Sequence, residues 1–172
     1  MSQLQQSVML RLGKLLPEFE ARGLHIAAAE SLTGGMLSAA IVDVPGASKV
    51  LLGSVVAYTN SVKAHLLGVD FETLEVHGAV SAQTATEMAH RVRVLLGDAG
   101  GVSLASTIGI ATTGVAGPDA DGEHQPGEVF IAAEDQSGET HIEHHHFAGS
   151  RAEVREATLV AAVELLSSLL AK

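Results

Sequence analysis

The segment 24–42 is the part of the chain that most constrains its fold. A short apolar run at 24–28 has the length of a buried strand, and the apolar spacing from about Thr33 to Val42 predicts a helix. Two consecutive glycines, Gly34 and Gly35, lie where the first pattern gives way to the second. A strand that turns directly into a helix is the repeating unit of layered α/β domains, so the sequence predicts that class.

Apolar patterns along the rest of the chain alternate between strand and helix, as such a domain requires. Helices are predicted from the amino terminus to about 22, and at 33–42, 60–67, 81–96 and 151–170. Strands are predicted at 24–28, 50–58, 105–112, 128–134 and 139–147, the last two as a hairpin.

The composition restricts the classes of protein to which the chain can belong. With 172 residues it is long enough for one domain with a real core, and we expect a single domain over 1–172. The net charge of −10 disfavours a phosphate-backbone partner, so no direct nucleic-acid binding is expected. The absence of cysteine excludes disulfides, thiolate metal sites and a cysteine nucleophile.

The hydrophobic residues give no sign of membrane insertion or export. No apolar stretch reaches the roughly twenty residues needed to cross a bilayer, and the charged helical pattern of 1–23 is unlike a secretory signal. We therefore expect a soluble cytoplasmic protein without a membrane partner.

The heptapeptide AESLTGG at 29–35 occupies the predicted turn from strand to helix. Backbone N–H groups at the start of a helix lack internal partners and carry the positive end of the helix dipole, so they can hold an anion or a developing oxyanion. Ser31 is therefore a candidate nucleophile. Taken alone, the heptapeptide favours a second interpretation, in which Ser31 or Thr33 caps the helix and the glycines allow close packing.

The loop 114–127 is long for a domain of this size and contains four glycines and two prolines. Long loops of this kind are often functional. Glycines at 114 and 117 would let the main chain approach a ligand closely, although a turn that requires positive φ explains them equally well.

Five motifs together resemble the CinA carboxy-terminal domain family, the nicotinamide-nucleotide amidases. They are AESLTGG at 29–35, YTNSVKAHLLGV at 58–69, GAVS at 78–81, TTGVAGPD at 112–119 and GSRAEVRE at 149–156. Five motifs in order along nearly the whole chain are far more specific than any one of them. The resemblance implies a three-layer α/β/α sandwich with a mixed sheet, in the stand-alone form that lacks a separate amino-terminal domain.

The resemblance also implies an activity, the hydrolysis of nicotinamide mononucleotide to nicotinate mononucleotide and ammonia. No cofactor is expected, and the expected partners are the nucleotide substrate and further copies of the chain, in a dimer or higher homo-oligomer. Two rival functions stay open: a catalytically silent nucleotide-binding or regulatory module of the same fold, and an amidase for a different small amide.

Carried over onto this chain, the family pattern makes Ser31 the nucleophile, with Tyr58 and Lys63 as its activating partners. A serine needs a base within hydrogen-bond reach, and a lysine can act as that base only while it is uncharged. Burial and the positive end of a helix dipole both lower the pKa of a lysine. Whether Tyr58 or Lys63 takes the serine proton stays open.

Other pocket residues are candidates for binding the substrate. Backbone N–H groups around Thr33, Gly34 and Gly35 are expected to hold the oxyanion. Arg151 can bind the ligand phosphate through its guanidinium fork, or it can pair with Glu153 or Glu156. Asn60 is expected to cap its helix rather than to contact substrate. The loop contributes Thr113, Gly114, Ala116 and Gly117.

The chain departs from the family pattern at three places. Leu32 stands where the family usually has a cysteine, and Ser150 replaces an aspartate in the usual Gly-Asp-Arg. The segment QPGEVF at 125–130 is one residue shorter than usual, so the resemblance assigns no ligand contact to 122–128.

Histidines are concentrated at 141–146, where the sequence reads HIEHHH. On a strand, His141, Glu143 and His145 would face one way, and His144 and His146 the other. The first face offers three metal ligands, but polar alternation on an exposed edge strand explains the pattern equally well. Serine-based amide hydrolysis needs no metal, and we expect none.

Overall fold

The computed structural model describes residues 3–171, which form a five-stranded sheet flanked by helices. The strands are β1 (His25–Glu30), β2 (Leu51–Val56), β3 (Thr107–Gly114), β4 (Glu128–Glu134) and β5 (Thr140–His146). The helices are α1 (Gln3–Ala21), α2 (Met36–Val42), α3 (Asn60–Val62), α4 (Phe71–His77), α5 (Ala82–Ala99) and α6 (Arg151–Leu170). A π-helical turn, Lys63–Leu67, continues α3, and short 3₁₀ turns occupy Ala47–Lys49 and Leu104–Ser106.

The sheet is mixed, with the strand order β2-β1-β3-β4-β5. β1 pairs in parallel with both β2 and β3, whereas β3–β4 and β4–β5 are antiparallel pairs. Because the carboxyl ends of β1, β2 and β3 lie at the same edge, the segments that follow these three strands meet there.

Helices cover both faces of the sheet. Successive residues of β1 alternate between the faces: Ile26 and Ala28 pack with α1, α2 and α6, and Ala27 and Ala29 pack with α5. A strand that is buried on both sides has no polar alternation, which explains the continuous apolar run at 24–28. The predicted three-layer α/β/α class with a mixed sheet is confirmed.

The helix after β1 begins later than predicted. β1 extends to Glu30, and α2 starts at Met36 with Gly35 as its N-cap, a residue that has no side chain to cap the helix. Gly34 and Gly35 have φ values of 58° and 97°, so they form a left-handed turn instead of the first residues of the helix. The expectation that Ser31 or Thr33 caps this helix is therefore wrong.

Other boundaries follow the sequence more closely. The hairpin strands and α6 lie where they were predicted, to within one residue at β5. The helix α4 was not predicted, because its seven residues are too few to show helical periodicity. Among the described residues, no helix is both long and apolar enough to span a membrane.

Candidate active site

A cavity of about 460 Å³ opens where the carboxyl ends of the three parallel strands meet. Ser31 follows β1, Tyr58 lies just after β2, and Thr113 and Gly114 end β3. Ligands of α/β proteins commonly bind at this edge of the sheet, and the volume lies in the range of roughly 300–1,000 Å³ found for small-molecule sites.

Ser31 is held at the floor of this cavity by the backbone. Its N–H donates to the carbonyl of Thr112 on β3 at 2.9 Å, so the serine extends the parallel pairing of β1 and β3 by one step. The residue is buried, with 7% of its surface exposed, and its Oγ lies 3.0 Å from Nζ of Lys63. The two groups that the proposed chemistry requires are therefore in hydrogen-bond contact.

The amine of Lys63 is enclosed by oxygen atoms. Its Nζ donates to the carbonyl of Ala57 at 2.9 Å and lies 3.4 Å from the carbonyl of Tyr58. Only 1% of the lysine surface is exposed. Burial lowers the pKa of Lys63 to about 8, although the Asp121 carboxylate acts in the opposite direction.

The backbone around Lys63 explains how its side chain reaches the serine. Thr59 is the N-cap of α3, because its Oγ1 accepts from the N–H of Val62 at 3.3 Å. Lys63 begins the π-helical turn, and Gly68 ends it in the left-handed conformation with φ of 83°. Such π-turns often occur at functional sites. The predicted cap, Asn60, has no such role and instead lines the cavity.

The expected oxyanion donors at Thr33, Gly34 and Gly35 do not lie in the cavity wall. The N–H of Gly34 donates to the carbonyl of Ser31 at 3.1 Å, and the N–H of Gly35 donates to the Glu30 carboxylate at 2.9 Å. Thr33 is fully buried and hydrogen-bonds Thr112 through the two hydroxyls at 2.8 Å. The N–H groups of Gly34 and Gly35 are therefore bonded within the turn, and the role of 33–35 as oxyanion donors stays a prediction.

Sequence reasoning missed the two charged residues that shape this turn. The fully buried carboxylate of Glu30 accepts from the backbone N–H groups of Gly35, Leu37 and Ser38, at 2.9 to 3.1 Å. Arg155 of α6 donates to the carbonyls of Leu32 and Thr33, at 2.9 and 2.8 Å. Glu30 is part of the AESLTGG motif and Arg155 of GSRAEVRE, so the motifs themselves contained this signal.

The Tyr58 hydroxyl is hydrogen-bonded to Arg151. It accepts from Nη2 of Arg151 at 2.8 Å, and the tyrosine side chain is more than half exposed. Nη1 of Arg151 donates to the carbonyl of Gly117 at 2.7 Å. The structure thus brings Tyr58 and Arg151 together at the rim of the cavity and places neither in contact with Oγ of Ser31.

The alternative ion pair of Arg151 with Glu153 or Glu156 does not form. Glu153 instead completes a capping box with Ser150 at the start of α6. Glu156 hydrogen-bonds Gln5 of α1. Arg151 lines the cavity, as the first interpretation required.

The loop residues Thr113, Gly114, Ala116 and Gly117 all line the cavity. A Cβ on Gly114 would lie 2.5 Å from the carbonyl oxygen of Glu128, so this glycine is required by the pairing of β3 with β4. Gly117 has φ of 85°, which a side chain would strain. Local backbone geometry therefore accounts for both glycines without a ligand.

Two carboxylates in the wall were overlooked in the sequence. Asp119 and Asp121 both line the cavity, and the negative charge of Asp121 raises the pKa of Lys63. The long loop was predicted to be functional through its glycines, and no role was predicted for its two acidic residues.

The histidine-rich strand β5 lies at the sheet edge and contributes nothing to this cavity. On the face predicted to offer three ligands, His141 is paired with Asp135 at 3.0 Å and His145 with Glu143 at 2.8 Å. The three side chains named for that face therefore do not converge on one point.

Comparisons with known proteins agree with this geometry. The CinA C-terminal domain family matches residues 9–170. The putative competence-damage inducible protein of Bacillus subtilis is 48% identical over 135 residues, covering 78% of this chain and 30% of the relative. Its counterpart in Desulforamulus reducens is 45% identical over 148 residues, covering 86% of this chain and 34% of the relative. The chain spans about a third of the length of these curated relatives.

Solved structures share the fold over almost the whole chain. The competence/damage inducible protein CihA from Agrobacterium tumefaciens superposes with a TM-score of 0.86 at 33% identity, covering 94% of each chain. A CinA superfamily protein from Enterobacter cloacae gives a TM-score of 0.84 at 32% identity, covering 94% of this chain and 92% of the other.

Proposed function

Since the chain belongs to the CinA C-terminal domain family, we propose that it is a metal-independent amidohydrolase that converts nicotinamide mononucleotide to nicotinate mononucleotide and ammonia. The observation that supports this most directly is the 3.0 Å contact between Ser31 Oγ and the buried amine of Lys63 at the floor of the cavity.

The surroundings of Lys63 favour its role as the base. An uncharged amine has two N–H donors and one lone pair. The carbonyls of Ala57 and Tyr58 are placed to accept the two donors, which leaves the lone pair for the Ser31 hydroxyl. Tyr58 does not compete for this role, because its hydroxyl is bonded to Arg151.

The reaction then runs in two balanced steps. Ser31 Oγ attacks the amide carbon while Lys63 takes its proton, and the same proton passes to the amide nitrogen, which leaves as ammonia. Water then attacks the resulting ester, Lys63 takes a proton from that water, and the serine oxygen recovers it. The product is the free acid, and no cofactor is consumed.

Oxyanion stabilisation needs a donor in the cavity wall. Leu32 follows Ser31 and lines the cavity, so its backbone N–H is our candidate for this role. In other serine hydrolases the residue after the nucleophile supplies such a donor, and one donor is commonly worth about 3 to 4 kcal/mol.

The rim supplies groups suited to a nucleotide. Arg151 offers a planar cation for a phosphate, with its fork held by Tyr58 and Gly117. Asn60, Asp119 and Asp121 offer hydrogen-bonding groups for ribose hydroxyls. Binding at the rim would position the amide over Ser31.

The direct test measures ammonia release from nicotinamide mononucleotide by the Ser31→Ala and Lys63→Met variants. Each should lose at least about 10³-fold in kcat/KM, because a nucleophile and its base act as a unit. Ser168→Ala is the control: this serine lies near the end of α6 and outside the cavity, and its hydroxyl donates to Leu165 of the same helix, so activity should persist. Near wild-type turnover in Ser31→Ala would rule out the acyl-enzyme.

Comparison of three amides separates the rival functions. Nicotinamide mononucleotide, nicotinamide riboside and nicotinamide differ in the phosphate and the ribose. Turnover of the first alone supports the proposal, and turnover without dependence on the phosphate supports an amidase for another small amide. Saturable binding without turnover of any of them would support a silent nucleotide-binding module.

A further inference from the structure

We infer that the edge hairpin β4–β5 carries a binding site for a divalent transition-metal ion, formed by Glu128, His144 and His146. One ligand atom from each residue lies within 4.8 Å of the others. None of the three lines the catalytic cavity, so the site and its test are independent of the proposed amidase activity.

The strand register brings these three side chains to one face. Glu128 is directly opposite His146 in the antiparallel pair of β4 and β5, and His144 lies two residues along the same strand. Residues two apart on a strand share a face, and opposite residues have Cβ atoms about 4.5 to 5.5 Å apart. The register therefore places two imidazoles and a carboxylate next to one another. They lie on the face of β5 opposite to that of His141, Glu143 and His145, where the sequence had suggested a metal site.

Two of the three ligands are already oriented. Nε2 of His144 lies 3.0 Å from Oε1 of Glu128. The His144 ring stacks on the Phe130 ring, with the ring centroids 4.1 Å apart and an angle of 7° between the ring planes. The second carboxylate oxygen of Glu128 is 3.1 Å from Nδ1 of His124, and this contact orients the carboxylate. His146 is exposed on the strand, so its ring can turn towards the other two.

The donor set suits zinc and its neighbours in the periodic table. Zn²⁺ binds imidazole nitrogen and carboxylate oxygen at about 2.0 to 2.2 Å, which places tetrahedral ligand atoms about 3.4 Å apart. The ligand atoms of the three residues all lie within 4.8 Å of one another, and Nε2 of His144 is already 3.0 Å from Oε1 of Glu128. Three protein ligands leave a fourth position for water, and imidazole ligands exclude a preference for Mg²⁺.

A second cluster on the hairpin, Asp135, Glu139 and His141, is explained by the fold alone. Oδ1 of Asp135 accepts from the backbone and hydroxyl of Ser137 and from the N–H of Glu139, which closes the turn. Its other oxygen pairs with His141 at 3.0 Å. The turn therefore holds Asp135 through three bonds, whereas the carboxylate of Glu128 is held by two histidine side chains, so the cluster at Glu128 is the better site.

The test is calorimetric titration of the whole chain with ZnCl₂, with thermal unfolding as a second readout. The wild-type protein should show saturable binding of one equivalent and a higher Tm with zinc. His146→Ala should weaken binding by about tenfold or more, since loss of an outer-shell partner alone costs that much. The matched control, His141→Ala, removes a histidine of the second cluster and should bind zinc as the wild type does.

A competition measurement adds to this test. An excess of Mg²⁺ should not displace zinc, because imidazole ligands do not suit Mg²⁺. Unsaturable binding, equal affinity in His146→Ala and wild type, or loss of binding in His141→Ala would each overturn the inference.

Discussion

Lys63 is buried to 99% of its surface because a π-turn directs its side chain inward, beneath the carbonyls of Ala57 and Tyr58. The family resemblance and the effect of burial on a lysine pKa were enough to predict its pairing with Ser31. The partners of Tyr58 and the influence of Asp121 could not be predicted in the same way. The first depends on where α6 begins relative to β2, and the second on the path of the loop 114–127, and sequence patterns carry no information on either.

We expect kcat/KM for amide hydrolysis to rise with pH and to level off above about pH 8. Burial lowers the pKa of Lys63 to about 8, and only the uncharged amine can take the serine proton. Below the midpoint, each pH unit changes the uncharged fraction by about tenfold, so about a tenth of the protein is active at pH 7. Initial rates of ammonia release from about pH 6 to about pH 10 measure the profile.

Two carboxylate variants of the loop 114–127 test the electrostatic cause of this pH profile. Asp121 raises the pKa of Lys63, so Asp121→Asn should move the midpoint to lower pH. Glu123→Gln removes an exposed carboxylate of the same loop that does not line the cavity, and its midpoint should match the wild type. A flat profile in the wild-type protein would exclude Lys63 as the base.

Among the elements, the turn between β1 and α2 differs most from its prediction. Helix capping rules search for a serine, threonine, aspartate or asparagine next to the first helical residue. Here the acceptor is Glu30, six positions before Met36, and its carboxylate reaches forward across the turn. Because Glu30 satisfies these N–H groups, the Ser31 hydroxyl is not used as a cap and can face Lys63.

Glu30→Gln should lower the free energy of unfolding by about 2 to 3 kcal/mol, since hydrogen bonds to charged groups contribute about 1.5 to 3 kcal/mol each and the helix dipole favours the carboxylate. Activity should fall as well, because the turn positions Ser31. Urea unfolding and ammonia release measure the two effects. Glu18→Gln, on the exposed side of α1, should change stability by less than about 0.5 kcal/mol. Equal stability of the two variants would contradict the capping role.

The close packing of α5 on the sheet requires a glycine at position 109 of β3. A Cβ on Gly109 of β3 would lie 2.1 Å from the carbonyl oxygen of Ala89 in α5, which cannot move without displacing the helix. Gly109→Ala should therefore cost about 3 kcal/mol of unfolding free energy in urea titrations. Gly13→Ala is the matched control: this glycine of α1 has no atom within 4 Å of the added methyl, and the change should stabilise by about 0.5 to 1 kcal/mol. A tolerated Gly109→Ala would show that the helix can shift.

At the scale of the whole molecule, sequence pattern was sufficient for a long helix such as α6 and for the two short runs bounded by turn residues that form the hairpin β4–β5. It was insufficient for α4, whose seven residues show no clear repeat. A helix was correctly predicted at 60–67, but not its change to a π-turn at Lys63–Leu67. The cavity depends on these short segments and on loops. A layered α/β class could therefore be predicted from pattern, whereas the three-layer sandwich required the resemblance, and the contacts of the site required the structure as well.

Burial of a lysine also affects the stability of the whole protein. The pKa of Lys63 falls from 10.5 to about 8 on folding, so between these values the unfolded chain binds the proton and the folded protein does not. The free energy of unfolding contributed by this residue must therefore rise with pH across that window, by about 3 kcal/mol in total, and stay constant below it. Urea unfolding at several pH values from about 7 to about 10.5 should show the rise.

Two lysine variants isolate this effect from the other groups that titrate at high pH. Lys63→Met removes the buried amine, so its stability should lack the upward contribution and fall progressively behind the wild-type curve above about pH 8. Lys49→Met removes an exposed lysine that pairs with Glu20 at the surface, and its curve should run parallel to that of the wild type. Parallel curves for Lys63→Met and wild type would mean that Lys63 keeps its ordinary pKa in the folded protein, and the amine could then not serve as a base near neutral pH.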